Sequence, residues 1–216
     1  TCTQHQTDDW LTTPPTTRTA ARPFLVWAKN TGRMPPHTIG HRRANHTPQL
    51  SQDQRLDAVS KCLQPRAGEP WARGAALLVL LFAQLIHKII ALTTDAFTTT
   101  NGELHLKLGT DSTPIPAPFA TVFRELLENR RNTNLYNRDS NYLFPGQRPR
   151  SHTDANTARL AITAIIGDIL PARNAALRQL VIDCPPPVIA AMLDYSDQVT
   201  TKHAAAAGSP WMSYAA

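Results

Sequence analysis

The sequence predicts a mainly α-helical fold with one small β element (α+β). Most segments after residue 50 repeat their apolar residues at helical spacing. Only one run, Glu103 to Leu108, alternates strictly, with its leucines on one face. The 18 prolines punctuate the chain and keep its helices short.

Residues 1–30 read as helical. Thr16 or Thr17 can cap a helix bearing Ala20, Ala21, Phe24, Leu25 and Ala28. Pro23 marks either a kink or a later start, and Gly32 ends the pattern. Residues 31–50 hold Pro35, Pro36, Gly40 and Pro48 among Arg33, His37, His41, Arg42, Arg43 and His46. This is a basic linker, either a solvated loop or a connector lying along phosphates.

Ser51-Gln52-Asp53-Gln54 is a capping box opening a helix to about Leu63. Pro70 suits the first turn of the next helix, which is apolar nearly all round and so belongs in a core. A short helix carries Ile86, Ile89 and Ile90. The alternating run, turn residues Gly109-Thr110-Asp111 and a return over Thr113–Pro116 predict a two-stranded hairpin. Helices are expected over 118–129, 154–167, 172–183, 186–194 and 197–207, the last closed by Gly208. The expected division is a helical piece at 1–30, a linker at 31–50, a domain at 51–207 and a tail at 208–216.

Composition narrows the function. Apolar residues make up 42% of the chain, enough to fill a core, and 216 residues fit one ordinary domain with an attached piece. The longest apolar run, Ala75 to Ala83, is far short of the roughly 20 residues of a membrane span. Residues 1–30 hold no basic stretch followed by an apolar run. The chain begins at Thr1, not Met, and is expected to be a fragment or a processed chain. Cys2, Cys62 and Cys184 are odd in number and form no CxxC pair, so isolated reduced thiols are expected. A net charge of +6 favours a polyanionic partner.

The sequence has no phosphate-binding glycine loop, dinucleotide fingerprint, HExxH or nucleophile elbow. His87 and His105 are single histidines among apolar neighbours and read as structural. Asp8-Asp9 and Glu125/Glu128 read as helix-surface pairs. Neither a metal nor a cofactor is expected.

One ordered set of short motifs is informative. It runs Leu80-Leu81-Phe82-Ala83, then Ile89-Ile90-Ala91-Leu92-Thr93-Thr94-Asp95, the hairpin, and Leu143-Phe144-Pro145. It continues with Ala175-Ala176-Leu177-Arg178 and ends with Met192-Leu193-Asp194-Tyr195-Ser196-Asp197 followed by Thr200-Thr201. This order resembles the catalytic domain of the tyrosine recombinase (phage integrase) family, over residues 51 to about 207. The resemblance implies the DNA breaking-rejoining fold, with residues 1–30 as the end of a preceding helical DNA-binding domain.

It also implies a chemistry. Such enzymes attack a DNA phosphodiester with a tyrosine oxygen and hold the product as a phosphotyrosyl link. Two arginines stabilise the phosphate charge; a hairpin lysine and one or two histidines move protons. Carried over, the second arginine falls on Arg178 and its partner histidine on Ala175. The late His or Trp falls on Tyr195, and the nucleophile on Ala204. The first arginine is due near Leu85, yet no arginine lies between Gly74 and Phe123. Lys107 precedes the hairpin turn instead of occupying its tip. Tyr214 lies ten residues beyond the nucleophile's place, as a substitute that only a flexible tail could deliver. The interval from Arg178 to Tyr195 is shorter than the family's.

The resemblance therefore implies a site-specific recombinase relative whose catalytic set is largely replaced. Double-stranded DNA is the expected partner, met by Lys29, Arg33, Arg42, Arg43, Arg178, Lys202 and His203. A second copy or an active recombinase would be further partners. A cytoplasmic, nucleoid-associated location goes with that expectation. A non-enzymatic transcription or replication regulator, and a protein-interaction module whose charge is incidental, remain open beside it.

Overall fold

The computed structural model describes residues 3–12, 20–39, 50–133 and 137–211. The chain divides into two compact units, Thr1–Thr47 and Pro48–Ala216.

In the first unit α1 spans Gln4–Thr12 and α2 spans Arg22–Asn30. Pro23 sits in the first turn of α2, where its missing N–H has no helical partner to lose. Of the two readings of Pro23, the structure takes the later start. Gly32 follows the C-cap at φ +70°, a conformation glycine adopts freely. The Gln4 side-chain amide exchanges two hydrogen bonds with the Thr38 backbone, at 2.9 and 2.8 Å. Thr16, Thr17, His41, Arg42, Arg43 and His46 lie outside the described residues, as do Cys2 and Tyr214.

The second unit is built around one helix. Helix α3 (Gln52–Leu63) opens on the expected capping box: Ser51 Oγ accepts from Gln54 N at 3.2 Å, and Gln54 Oε1 from Ser51 N at 2.9 Å. Helix α4 (Pro70–Phe82) is buried almost throughout. It packs against α3, α6 (Ala117–Glu128), α7 (Ala155–Ile166) and α8 (Ile169–Asp183). The short α5 covers Ile86–Ala91. Helices α9 (Pro186–Leu193) and α10 (Asp197–Ala207) pack on α8 and on each other, and Gly208 ends α10 at φ +64°.

The β element is larger than the expected hairpin. Strands β1 (Phe97–Thr100), β2 (Glu103–Lys107) and β3 (Ser112–Pro114) form an antiparallel sheet in that order. Strand β2 turns Leu104 and Leu106 inward as its alternation required. Strand β1 has a single buried residue, Phe97, followed by three exposed threonines. Periodicity has nothing to register there, although β-branched threonine suits a sheet edge. The Leu143-Phe144 step is buried but forms only isolated bridges, Thr93 with Tyr142 and Pro145 with His152.

Among the described residues no single helix is long and apolar enough to cross a membrane. Cys62 is fully buried, and burial pushes its thiol up to about 12.

Among the described residues one charged side chain is buried. Arg73 of α4 is 2% exposed, and its guanidinium meets Glu125 of α6 at 2.5 Å and the Gly68 carbonyl at 3.1 Å. Glu125 is 40% exposed, so it is removal of Glu125 that strands the buried guanidinium, whereas an apolar residue in place of Arg73 needs no partner. Glu125→Ala is expected to cost about 3 kcal/mol. Adding Arg73→Met should recover most of that loss, read from urea unfolding midpoints. A Glu125→Ala variant as stable as the parent would show that the pair does not secure α6 to α4.

Candidate nucleic-acid interface

Helix α4 ends at Ala83, which takes the left-handed conformation at φ 54° and turns the chain sharply. The next residues are held from the far end of the sequence. The Tyr195 hydroxyl donates to the Ala83 carbonyl, and Gln84 Nε2 donates to the Leu193 carbonyl at 3.0 Å. From the other side, the β2–β3 turn lies directly on α9. Thr110 N donates to the Ala191 carbonyl at 3.0 Å, and a Cβ on Gly109 would fall 1.9 Å from that same oxygen. Only glycine allows so close an approach.

These contacts frame a groove of three adjoining depressions. The first, about 460 Å³, lies between Gln84–His87, Arg159 and Thr163 of α7, and Ile169, Leu170 and Arg173 of α8. The second, about 470 Å³, shares Gln84 and adds Lys88, Asp95, Lys107, Gly109 and Asp194. The third shares Gly109 and Asp194 and adds Tyr195 and Asp197. Four cations line the groove, namely Lys88, Lys107, Arg159 and Arg173. Four carboxylates oppose them: Asp95, Asp168, Asp194 and Asp197. The groove is rich in charge of both signs, and its lining is nearly neutral.

Arg173 is half-buried in α8. Its Nε is inaccessible to solvent and has no hydrogen-bond partner among the described residues. Its Nη2 donates to Asn174 Oδ1 over a long 3.5 Å. A buried donor left without a partner is uncommon, since most buried polar atoms are hydrogen-bonded. Burial raises the Tyr195 phenol above its ordinary value, and the charge of Arg173 offsets part of that rise. Burial, then Arg173, then Lys202 push His203 below the ordinary histidine value. Arg173 is thus the group that links Tyr195 and His203 electrostatically.

The structure separates the residues singled out from sequence. Tyr195 and Lys107 line the groove, Lys107 as the exposed last residue of β2, opposite Ser112. Leu85, where the first arginine was due, lies in the same depression as Arg173. Arg178 is exposed and lies outside the lining of all three depressions. Five residues along α8, it is turned about 140° from Arg173. Ala175 and Ala204 are buried in packing. On α10, Lys202 is exposed and His203 half-buried. In the first unit Lys29 and Arg33 are exposed, with the Arg33 guanidinium 5.5 Å from the Trp27 ring centre.

Arg173 and Lys88 are groove residues that sequence reasoning missed. A signal for Arg173 existed in the short interval between Arg178 and Tyr195. Counting from Arg173 lengthens it by five residues. Leu170 then takes the histidine's place, and it too has no proton to give. No cluster of three or more potential metal ligands occurs among the described residues.

The architecture is that of the tyrosine recombinase fold: a helical domain around one buried helix, a small antiparallel sheet, and a terminal helix pair closing a groove. The chain superimposes on XerA recombinase with a TM-score of 0.54 at 12% identity, over 93% of this chain and 75% of that one. It superimposes on the XerH site-specific recombinase, solved bound to its palindromic difH substrate in a post-cleavage complex, with a TM-score of 0.59. There the identity is 12%, over 93% of this chain and 67% of XerH. No family model matches the sequence. No curated protein matches it either.

The lowered pKa of His203 has a measurable consequence. As pH falls below the ordinary histidine value of 6.5, the unfolded chain takes up this proton before the folded one does. The associated stability is present above that value and is lost as pH falls through the folded-state pKa. His203→Gln should remove this component, so its unfolding midpoint should fall less than the parent's between neutral and mildly acid pH. Equal acid sensitivity in the two proteins would refute the assignment.

Proposed function

We propose that this chain is a DNA-binding relative of the tyrosine recombinases that does not cleave DNA by itself. The observation that carries this reading is Arg173, a half-buried residue of the groove lining whose guanidinium makes only a long 3.5 Å bond to Asn174, on a fold that XerH presents to its DNA substrate. A guanidinium fork suits a phosphate, and burial strengthens the bond it would make. Lys107 at the end of β2 and Lys202 on α10 supply further positive charge.

Several groups support the absence of cleavage. Ala204, at the place the resemblance gives the nucleophile, is a fully buried alanine. The Tyr195 hydroxyl is engaged with the Ala83 carbonyl, and burial keeps it protonated. Leu85 cannot neutralise a phosphate. Such a chain can act as a non-cleaving subunit beside a second copy or an active recombinase, or as a regulator of the DNA site it covers.

The matched charges of the groove favour one other reading, a module that binds another protein. The salt dependence of duplex binding separates the two, because releasing counterions from DNA gives a steep slope. Arg173→Ala is expected to weaken duplex binding about tenfold, as losing a charge-assisted bond from a desolvated site does. Arg178→Ala should have a much smaller effect. A flat salt response would select the protein-binding module, and equal effects of the two arginine variants would remove the groove from the interface. A nicked duplex that traps cleaving recombinases should yield no covalent adduct; an adduct at Tyr195 or Tyr214 would overturn the non-cleaving reading.

A further inference from the structure

Lys88 belongs to none of the motifs in the sequence. Its ammonium lies 2.7 Å from Asp194 Oδ2, donates also to the Asp194 backbone carbonyl, and sits 5.7 Å from the Tyr195 ring centre. Three groups thus aim one cation into the middle of the groove, beside Lys107 and Gln84.

The partner carboxylate is unusually placed. Asp194 caps α9 in the left-handed conformation (φ 56°, ψ 48°), which raises its side chain at the groove wall. That side chain is 69% exposed, while Lys88 is 30% exposed. An ion pair this open to solvent contributes little to stability, because water screens it and ordering two side chains costs entropy. Its effect on ligands is larger. A DNA phosphate entering the groove seeks the same ammonium, and the carboxylate already occupies that cation and repels the newcomer.

We propose that Lys88 is a phosphate ligand of the groove and that Asp194 is an internal substitute anion that holds it in reserve, so that this chain binds DNA less tightly than its cations alone would allow. The inference rests on the reading of the groove as a DNA interface. It predicts the opposite sign from a purely structural role for the pair: neutralising Asp194 should strengthen binding.

Asp194→Asn tests this with little disturbance. Asparagine tolerates the left-handed conformation, and Lys88 keeps its bond to the backbone carbonyl. Duplex binding by the full chain is measured over a salt series for the parent, Asp194→Asn, Lys88→Gln and the double variant, with thermal melts to confirm folding. Asp194→Asn is expected to tighten binding about fivefold near 0.1 M salt and to steepen the salt slope by about 0.9, one further phosphate contact. Lys88→Gln should weaken binding, and in its background Asp194→Asn should leave the slope unchanged. Unchanged or weaker binding by Asp194→Asn overturns the inference, as does an equal steepening with and without Lys88. A parent that binds duplex with a normal salt slope keeps the DNA reading standing in either case, whereas no binding by any of the four overturns both.

Discussion

A helix without a polar side has to be surrounded, and α4 imposes that condition on the rest of the larger unit. Residues Ala75 to Leu80 are sealed from water, and helices α3, α6, α7 and α8 close around them. Each large side chain so enclosed contributes about 1.5–3 kcal/mol. Two residues permit the enclosure. Gly74 lets α6 approach, since a Cβ there would meet Leu126 Cδ2 at 2.7 Å. Arg73 carries the only charge on α4, and the fold answers it with Glu125 and two backbone carbonyls.

The groove follows from how this helix stops. Ala83 turns the chain through a conformation that alanine adopts only at some cost, and Tyr195 and Gln84 hold that turn to the end of α9. Gln84 and Leu85 thereby line one depression with Arg173 of α8, while Lys88 meets Asp194 at the end of α9 in the next. The carboxylates along the same walls decide how much of that positive charge a phosphate would feel. Balance between the two signs, not a surplus of one, characterises this surface.

Much of the scaffold was legible in the sequence because its signals are local. Ser51 with Gln54, Pro70 and Gly208 each declare a helix end through their own chemistry, and the structure uses all three. Strand β1 was not legible, since a phenylalanine followed by threonines has no period to detect. The groove was only half legible. Tyr195 and Lys107 were reached through motif order, while Arg173 and Lys88 are marked by neighbours distant in sequence. A guanidinium on an amphipathic helix looks alike in sequence whether it faces water, as Arg178 does, or a cleft.

The bonds that shape the groove span about half of the chain. Ala83 and Tyr195 are 112 residues apart, Gln84 and Leu193 are 109, and Lys88 and Asp194 are 106. Closing loops of that length precedes any reward from the contacts they bring, so such pairings form slowly. On the ribosome, the helices around α4 can gather before α9 and α10 have been synthesised. The groove is then closed only after the core around α4 has gathered, because its far wall comes from α9 and the residues that follow it.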